Sequence, residues 1–213
     1  MPPRLSRRTV LQSALTAGAV AAGLPLPARS AGIVVRDGLA AAAATVNPVL
    51  VARASAALAQ QSSLIWSRDM IAIADFGPSS STSRLHLVDL LAGRTTSFLV
   101  AHGIGSDPAK TGYLQNFSNE IGSRASSEGA YLIGETYSGV HGLSRRLTGL
   151  EPTNNNARDR AIVIHSAMYV GPTVIAERGK IGCSDGCFAI SEQDAPYVLA
   201  RLGEGRLLYA GKA

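Results

Sequence analysis

Two cysteines and one histidine carry the chemistry that this sequence offers. Both cysteines lie in one glycine-rich stretch, Gly182-Cys183-Ser184-Asp185-Gly186-Cys187, and His165 closes the apolar run 161–164. A thiolate that attacks a carbonyl needs a base to take its proton and backbone N–H groups to hold the oxyanion. Glycine allows a sharp turn ahead of Cys187, and a strand end can present His165 at the rim of a cleft. The pattern predicts Cys187 as a nucleophile and His165 as its general base.

Other uses of these residues stay open on spacing alone. A buried structural thiol is the usual fate of a free cysteine, and a histidine at a strand end is often a hydrogen-bonded core residue. A disulfide between Cys183 and Cys187 would close a very small loop and stabilise little. The spacing Cys-x-x-x-Cys with a distant His165 matches zinc sites poorly. We therefore predict no metal and no organic cofactor.

The N-terminus predicts export. Residues 1–30 contain Arg7-Arg8, then an apolar run, then small residues near Ser30. This order is typical of a secretory signal peptide, and paired arginines before the run favour the twin-arginine type over an ordinary export signal. The run is too short and too interrupted to be a stable membrane span. We expect a periplasmic or secreted protein with no stable membrane insertion after signal removal.

The formal charge of +5 owes much to this N-terminal segment. The sequence has 20 Lys+Arg and 15 Asp+Glu, and four of the arginines but no acidic residue lie in residues 1–30. The remainder therefore carries 16 basic and 15 acidic residues. This near-neutral balance, with no basic stripe between aromatic residues, argues against nucleic-acid binding. A chain of this size is long enough for one domain with a core of its own. We also expect a monomer.

Alanine dominates residues 31–63, ahead of a catalytic part that we place at 64–213. Asn47 followed by Pro48 predicts the N-cap and first turn of a leading helix, and residues 31–46 are expected to be a flexible tether. From Met70 short β-type runs alternate with turn residues, which predicts a mainly β domain with a few helices, either a β-sandwich or a mixed sheet. Strands are predicted at 70–75, 84–89, 95–101, 129–135, 161–165, 168–170, 187–190 and 205–210.

One helix and three loops complete the expected domain. Ser191-Glu-Gln-Asp194 resembles a capping box and predicts a helix that continues to about Leu202. Long polar segments at 103–127, 137–142 and 149–160 interrupt the strands. Loops of this length in a compact domain are usually functional or disordered, so we expect them to wall a substrate cleft.

The two chemical segments resemble the catalytic domain of L,D-transpeptidases of the YkuD type, whose signature is a histidine followed by Ser/Thr-x-Gly-Cys. Here these are His165-Ser166 and Ser184-Asp185-Gly186-Cys187. The murein L,D-transpeptidase branch also resembles this chain in further blocks, so the likeness extends over roughly residues 70–210. Those blocks are 100–103, 117–119, 126–129, 137–142 and 160–165.

The resemblance implies a mechanism. Cys187 would attack the carbonyl before D-Ala in a peptidoglycan stem tetrapeptide, D-Ala would leave, and an amine acceptor would resolve the thioacyl enzyme. His165 would be the base, oriented by a backbone carbonyl or by a small polar group such as Ser166. The N–H groups of Gly186 and Cys187 would form the oxyanion hole. Resolution by water would instead give an L,D-carboxypeptidase or a wall-amide hydrolase, and a non-catalytic wall-binding module is the remaining alternative.

Two positions depart from the pattern of the family. Asp185 stands where a histidine is usual, and a carboxylate there could raise the pKa of the thiol. Ala189 stands where a polar residue is frequent, so the substrate carboxylate needs another partner. An arginine is suited to this because its guanidinium binds a carboxylate through two hydrogen bonds. The expected substrate-binding residues are Ser184, Asp185, His102, Arg124, Arg145 and Asn119.

Cys183 has no counterpart in this mechanism. Either it is inert packing, or it traps Cys187 in a reversible disulfide under oxidation.

Overall fold

The computed structural model of the protein describes residues 31–213. The predicted export signal, residues 1–30, lies outside the described residues. Within the described part, no helix combines the length and the apolar character that a bilayer span requires.

A mixed sheet of eight strands organises the described chain. Its spatial order is β3-β2-β1-β8-β4-β5-β6-β7. Two neighbouring pairs, β1 with β8 and β6 with β7, are parallel, and the other pairs are antiparallel. The expected mainly β single domain is therefore confirmed in its mixed-sheet form. The strands are β1 (Met70–Asp75), β2 (Leu85–Asp89), β3 (Arg94–Phe98), β4 (Gly129–Gly139), β5 (Gly142–Gly149), β6 (Val163–Ser166), β7 (Phe188–Ile190) and β8 (Leu207–Gly211).

Helices cover both faces of this sheet. They are α1 (Ala31–Ala42), α2 (Pro48–Gln60), α3 (Pro172–Arg178) and α4 (Ala195–Arg201). Strand β1 is buried throughout, and its side chains alternate between two cores. Ile71 and Ile73 pack with residues of α1 and α2, whereas Ala72 and Ala74 pack with residues of α4. Apolar side chains on both faces explain why β1 has no polar alternation.

Local capping signals were predicted well. The side chain of Asn47 accepts a hydrogen bond from the Val49 N–H at 2.9 Å, at the start of α2. Ser191 Oγ accepts from the Asp194 N–H at 3.0 Å and donates to Asp194 Oδ2 at 2.6 Å, directly before α4. Asn47 thus caps the start of α2, and Ser191 satisfies the Asp194 N–H in the turn that precedes α4, as their sequence patterns indicated.

The structure differs from the local predictions at three segments. The supposed tether is helical from Ala31 to Ala42 because alanine favours helix and α1 packs on β2 and β3. Residues 168–170 form a turn that leads into α3, which the sequence did not predict; the Val170 N–H donates to Ala167 O. The segment 142–149, without a clear apolar alternation, is strand β5, held between β4 and β6.

The sheet brings the two chemical segments together. Strands β6 and β7 are parallel neighbours, and His165 lies opposite Ala189. Ile164, Phe188 and Ile190 point into the core. Because side chains alternate along a strand, His165, Cys187 and Ala189 lie on the face of the sheet opposite to these three core residues.

Candidate active site

The turn that presents Cys187 is built around Gly186. Its φ of +111° lies in the region that L side chains rarely adopt, and a Cβ atom there would lie 2.7 Å from Ala125 O. Ser184 closes the turn, since its Oγ accepts from the Gly186 N–H at 3.2 Å and donates to Cys187 O at 2.7 Å. The predicted oxyanion donor on Gly186 is therefore already engaged, and the Ser184 hydroxyl shapes the turn.

The tautomer of His165 suits it to act as a base. The ring is 2 % exposed, and its Nδ1 lies 2.8 Å from Ser166 O. A carbonyl oxygen only accepts, so Nδ1 carries the hydrogen and Nε2 keeps its lone pair. Burial is the main cause that lowers the pKa of His165; the charge of His141 lowers it further, and the bond to Ser166 opposes both. Ser166 thus orients the ring through its backbone carbonyl.

Cys187 is a neutral thiol at rest. Its Sγ lies 3.6 Å from Ala161 O, which can accept its hydrogen. Burial raises the pKa of Cys187, and the charge of Asp185 adds to this, whereas the Val163 backbone and the Arg160 guanidinium lower it. A neutral thiol that shares a cavity with a neutral imidazole can attack only if the proton moves to His165 Nε2 as the sulfur bonds to carbon.

One cavity joins these groups. It has a volume of about 210 Å³. Asp185 projects at this cavity and pairs with Arg124, whose Nε and Nη2 lie 2.8 and 2.7 Å from Asp185 Oδ1. Both side chains are more than half exposed, so the pair is solvated and stabilises the fold little. The lining residues are His141, His165, Tyr169, Cys183, Ser184, Asp185 and Cys187.

His141 is a residue of the site that the sequence analysis did not select. It lies in the tight turn between β4 and β5, and its ring stacks on His165 with 4.2 Å between centroids and 20° between planes. Ser166 Oγ donates to His141 O at 3.4 Å. His141 also lines a second cavity of about 540 Å³, which includes Met168 and Glu192. The sequence placed it in a polar segment expected to wall the cleft and in the block 137–142 that resembles the family, but did not assign it a role.

His102 does not reach the cavity. It is 1 % exposed, and the fully buried Arg84 donates to its Nδ1 at 2.6 Å. Arginine only donates, so the hydrogen of His102 sits on Nε2, which lies 3.8 Å from Cys183 Sγ and 3.6 Å from Asp107 Oδ2. The predicted substrate contact of His102 conflicts with this burial.

The same cluster is a poor cation site. Donor atoms of His102, Asp107 and Cys183 lie within 4.8 Å of one another. A metal ion would need the Nε2 lone pair, but the bond from Arg84 fixes a hydrogen there. Burial raises the pKa of Cys183, so its thiol stays protonated. Cys183 and Cys187 are both free thiols.

Two other predicted substrate contacts lie away from the thiol. Arg145 donates to Leu199 O at 2.9 Å and to Gly134 O at 3.1 Å, and it thereby links β5 to the end of α4. Asn119 donates to Pro152 O at 2.8 Å and to Asn155 Oδ1 at 2.7 Å, and it borders a separate cavity. The amide of Asn119 and two of the three guanidinium nitrogens of Arg145 are used within the fold, and neither residue lines the thiol cavity.

Comparison with known proteins defines the family. Residues 42–210 match the family model described as the L,D-transpeptidase catalytic domain, and the chain therefore belongs to that family. A comparison with curated proteins found no match.

Three solved structures that are similar to the chain have low sequence identity to it. An L,D-transpeptidase from Mycobacterium tuberculosis H37Rv is 16% identical with a TM-score of 0.38, covering 67% of this chain and 57% of its own. An L,D-transpeptidase from Mycobacterium smegmatis is 13% identical with a TM-score of 0.40, covering 67% and 58%. The helical cell shape determining protein Pgp2 (K307A mutant) from Campylobacter jejuni is 13% identical with a TM-score of 0.42, covering 75% and 54%. The chain thus spans less than two thirds of each structure.

Proposed function

We propose that the protein is a cysteine L,D-transpeptidase that acts on stem tetrapeptides of peptidoglycan in the periplasm or outside the cell. The observation that carries the proposal is the cavity lined by both the Cys187 thiol and the imidazole of His165, whose Nε2 keeps its lone pair because Nδ1 donates to Ser166 O. Membership in the L,D-transpeptidase catalytic domain family supports the substrate class.

The resting protonation states define the proposed steps. His165 Nε2 takes the thiol proton while Cys187 Sγ bonds to the carbonyl carbon that precedes D-Ala. The Cys187 N–H is the first candidate donor to the oxyanion, because the Gly186 N–H is held by Ser184 Oγ. His165 then gives the proton to the leaving amine of D-Ala, and the C–N bond breaks. An acceptor amine attacks the thioester, its proton passes through His165 to the departing thiolate, and the C–S bond breaks.

Arg124 is our candidate for binding the carboxylate of the stem peptide. Its guanidinium contacts a single oxygen of Asp185, and both side chains are solvated. A substrate carboxylate can therefore compete for the remaining N–H groups of Arg124 without the cost of removing a buried ion pair.

The test is product analysis with a matched pair of cysteine variants. The protein is incubated with a defined disaccharide tetrapeptide, with and without an amine acceptor, and the products are identified by mass. We expect release of D-Ala and an acceptor-linked tripeptide from the wild type and from Cys183→Ala, and neither product from Cys187→Ala. If the only products are D-Ala and a free tripeptide, even with acceptor present, the reaction is hydrolysis and not transfer. No D-Ala release by the folded wild type contradicts the proposal.

A further inference from the structure

A cation lies behind the thiol turn. Arg160 follows the turn-rich segment 151–159, and its half-buried guanidinium reaches back to the segment 118–127. Its Nη1 donates to Ser118 O at 2.7 Å and to Ser127 Oγ at 2.5 Å, and its Nη2 donates to Ala125 O. Three acceptors from one loop are thus held by a single planar group, which a lysine could not reproduce.

The guanidinium and the carbonyl that it holds touch the turn of Cys187. A Cβ atom on Gly186 would lie 3.2 Å from Arg160 Nη2 and 2.7 Å from Ala125 O. The conformation of Gly186 is therefore defined by the surface that Arg160 and Ala125 form. Cys187 comes directly after this glycine, so Arg160 affects both the position of the thiol and the field around it.

The charge of Arg160 has no carboxylate partner among residues 31–213. Its hydrogen-bond acceptors are two carbonyls and a hydroxyl, all neutral. Neighbouring arginines differ, since Arg124 pairs with Asp185 and Arg158 with Glu135. The two ionisable groups that favour the charged form of Arg160 are the phenol of Tyr131 and the thiol of Cys187. Tyr131 is buried, and its pKa is raised, so it stays neutral.

We propose that Arg160 is a positioning residue of the thiol site, which holds the turn of Cys187 and supplies a fixed positive charge beside its thiolate. A partly desolvated cation without a counter-ion is costly, and an anion that forms beside it recovers part of that cost. The Cys187 thiolate, formed when the proton passes to His165 Nε2, is that anion. The proposal rests on the proposed function only in the identity of the reaction; the thiol chemistry itself can be measured without any substrate.

The experiment measures thiol reactivity in a Cys183→Ala background, so that one cysteine reports. Alkylation by iodoacetamide is followed by intact mass from pH 6 to 10. We expect Arg160→Gln to raise the apparent pKa of Cys187 by about one unit, which slows alkylation at pH 7 about tenfold. Arg158→Gln is the matched control two residues away: Arg158 is exposed and pairs with Glu135, so its profile is expected to follow that of the parent.

The conservative variant separates charge from fold. Arg160→Lys keeps the charge, so its Cys187 pKa is expected to stay close to that of the parent while turnover of the stem peptide falls. This variant also tests the proposal if Arg160→Gln does not fold. An unchanged alkylation profile in folded Arg160→Gln, or a profile in Arg160→Lys shifted by a full unit, overturns the proposal. Because no substrate is used, these results are independent of whether the protein proves to be a transpeptidase.

Discussion

Acid should destabilise this fold through His102. The ring is 1 % exposed, and its Nδ1 accepts from the buried Arg84 guanidinium at 2.6 Å. Burial, followed by the charge of Arg84, lowers the pKa of His102 from 6.5 to about 4, although Asp107 opposes the shift. The unfolded chain therefore binds a proton at this ring over a pH interval in which the folded chain does not.

The sign and size follow from the two pKa values. The folded pKa is the lower one, so the stability contributed by neutral His102 is present above pH 6.5 and is lost as the pH falls through about 4. The interval from 6.5 to about 4, at about 1.4 kcal/mol per pH unit, gives a full loss of about 3 kcal/mol. Between pH 7 and pH 5 the loss is about 2 kcal/mol by the same relation.

The measurement compares the wild type with His102→Asn by urea unfolding at pH 7, 6 and 5. Asparagine can still accept from Arg84 but does not titrate, and other titrating groups contribute equally to both proteins. We expect the variant to be less stable at pH 7, because the smaller side chain leaves a void. Its deficit should shrink by about 2 kcal/mol at pH 5. Two stability curves that stay parallel over this interval refute the reasoning.

Three further predictions concern the thiol cavity. His141→Phe keeps a stacked ring but removes a charge that lowers the pKa of His165, so the acid limb of the pH profile of kcat/KM should move to higher pH. Val140→Ala is the control, because Val140 is 97 % exposed in the same turn, and it should leave this limb in place. A His141→Phe profile equal to that of the wild type would contradict the role of His141. Gly186→Ala should lower the free energy of unfolding by about 2 kcal/mol, because the added Cβ meets Ala125 O. Gly171→Ala should cost little, because Gly171 has an extended φ of 166° and open space around its Cβ. A Gly186→Ala variant as stable as the wild type would be inconsistent with the turn geometry. Asp185→Asn should speed alkylation of Cys187 at pH 7 about two- to threefold, because the substitution removes a solvated carboxylate that raises the thiol pKa. Slower alkylation would contradict this effect of Asp185 on the thiol pKa.

Local signals in the sequence predicted most strands and the two main caps. The apolar run of β1 and the pair Asn47-Pro48 each indicate their structure through residues adjacent in the sequence. Strand β5 was missed because Arg145 and Arg146 interrupt any apolar alternation; its place depends on pairing with β4 and β6. Helix α1 was taken for a tether because its stability comes from packing on the sheet, which alanine content alone does not reveal.

The residues of the candidate site also fall into those that the sequence indicated and those that it did not. The glycine before Cys187 and the apolar run before His165 indicated a shared cleft, and both residues line one cavity. Sequence spacing could not show that Arg84 is buried against His102, nor that Arg160 reaches the thiol turn, since both contacts join segments far apart in the chain. The stacking of His141 on His165 likewise depends on the register of β5 with β6, in which Ser144 lies opposite His165.

The most direct test of the central claim is the mass of the acyl enzyme. The protein is mixed with a stem tetrapeptide without acceptor, quenched in acid after seconds, and examined by intact mass and peptide mapping. The proposed mechanism predicts an added mass equal to the tetrapeptide less D-Ala, carried by Cys187 and retained in Cys183→Ala. D-Ala release with no adduct, or an adduct on Cys183 that persists in Cys187→Ala, would contradict a nucleophilic Cys187.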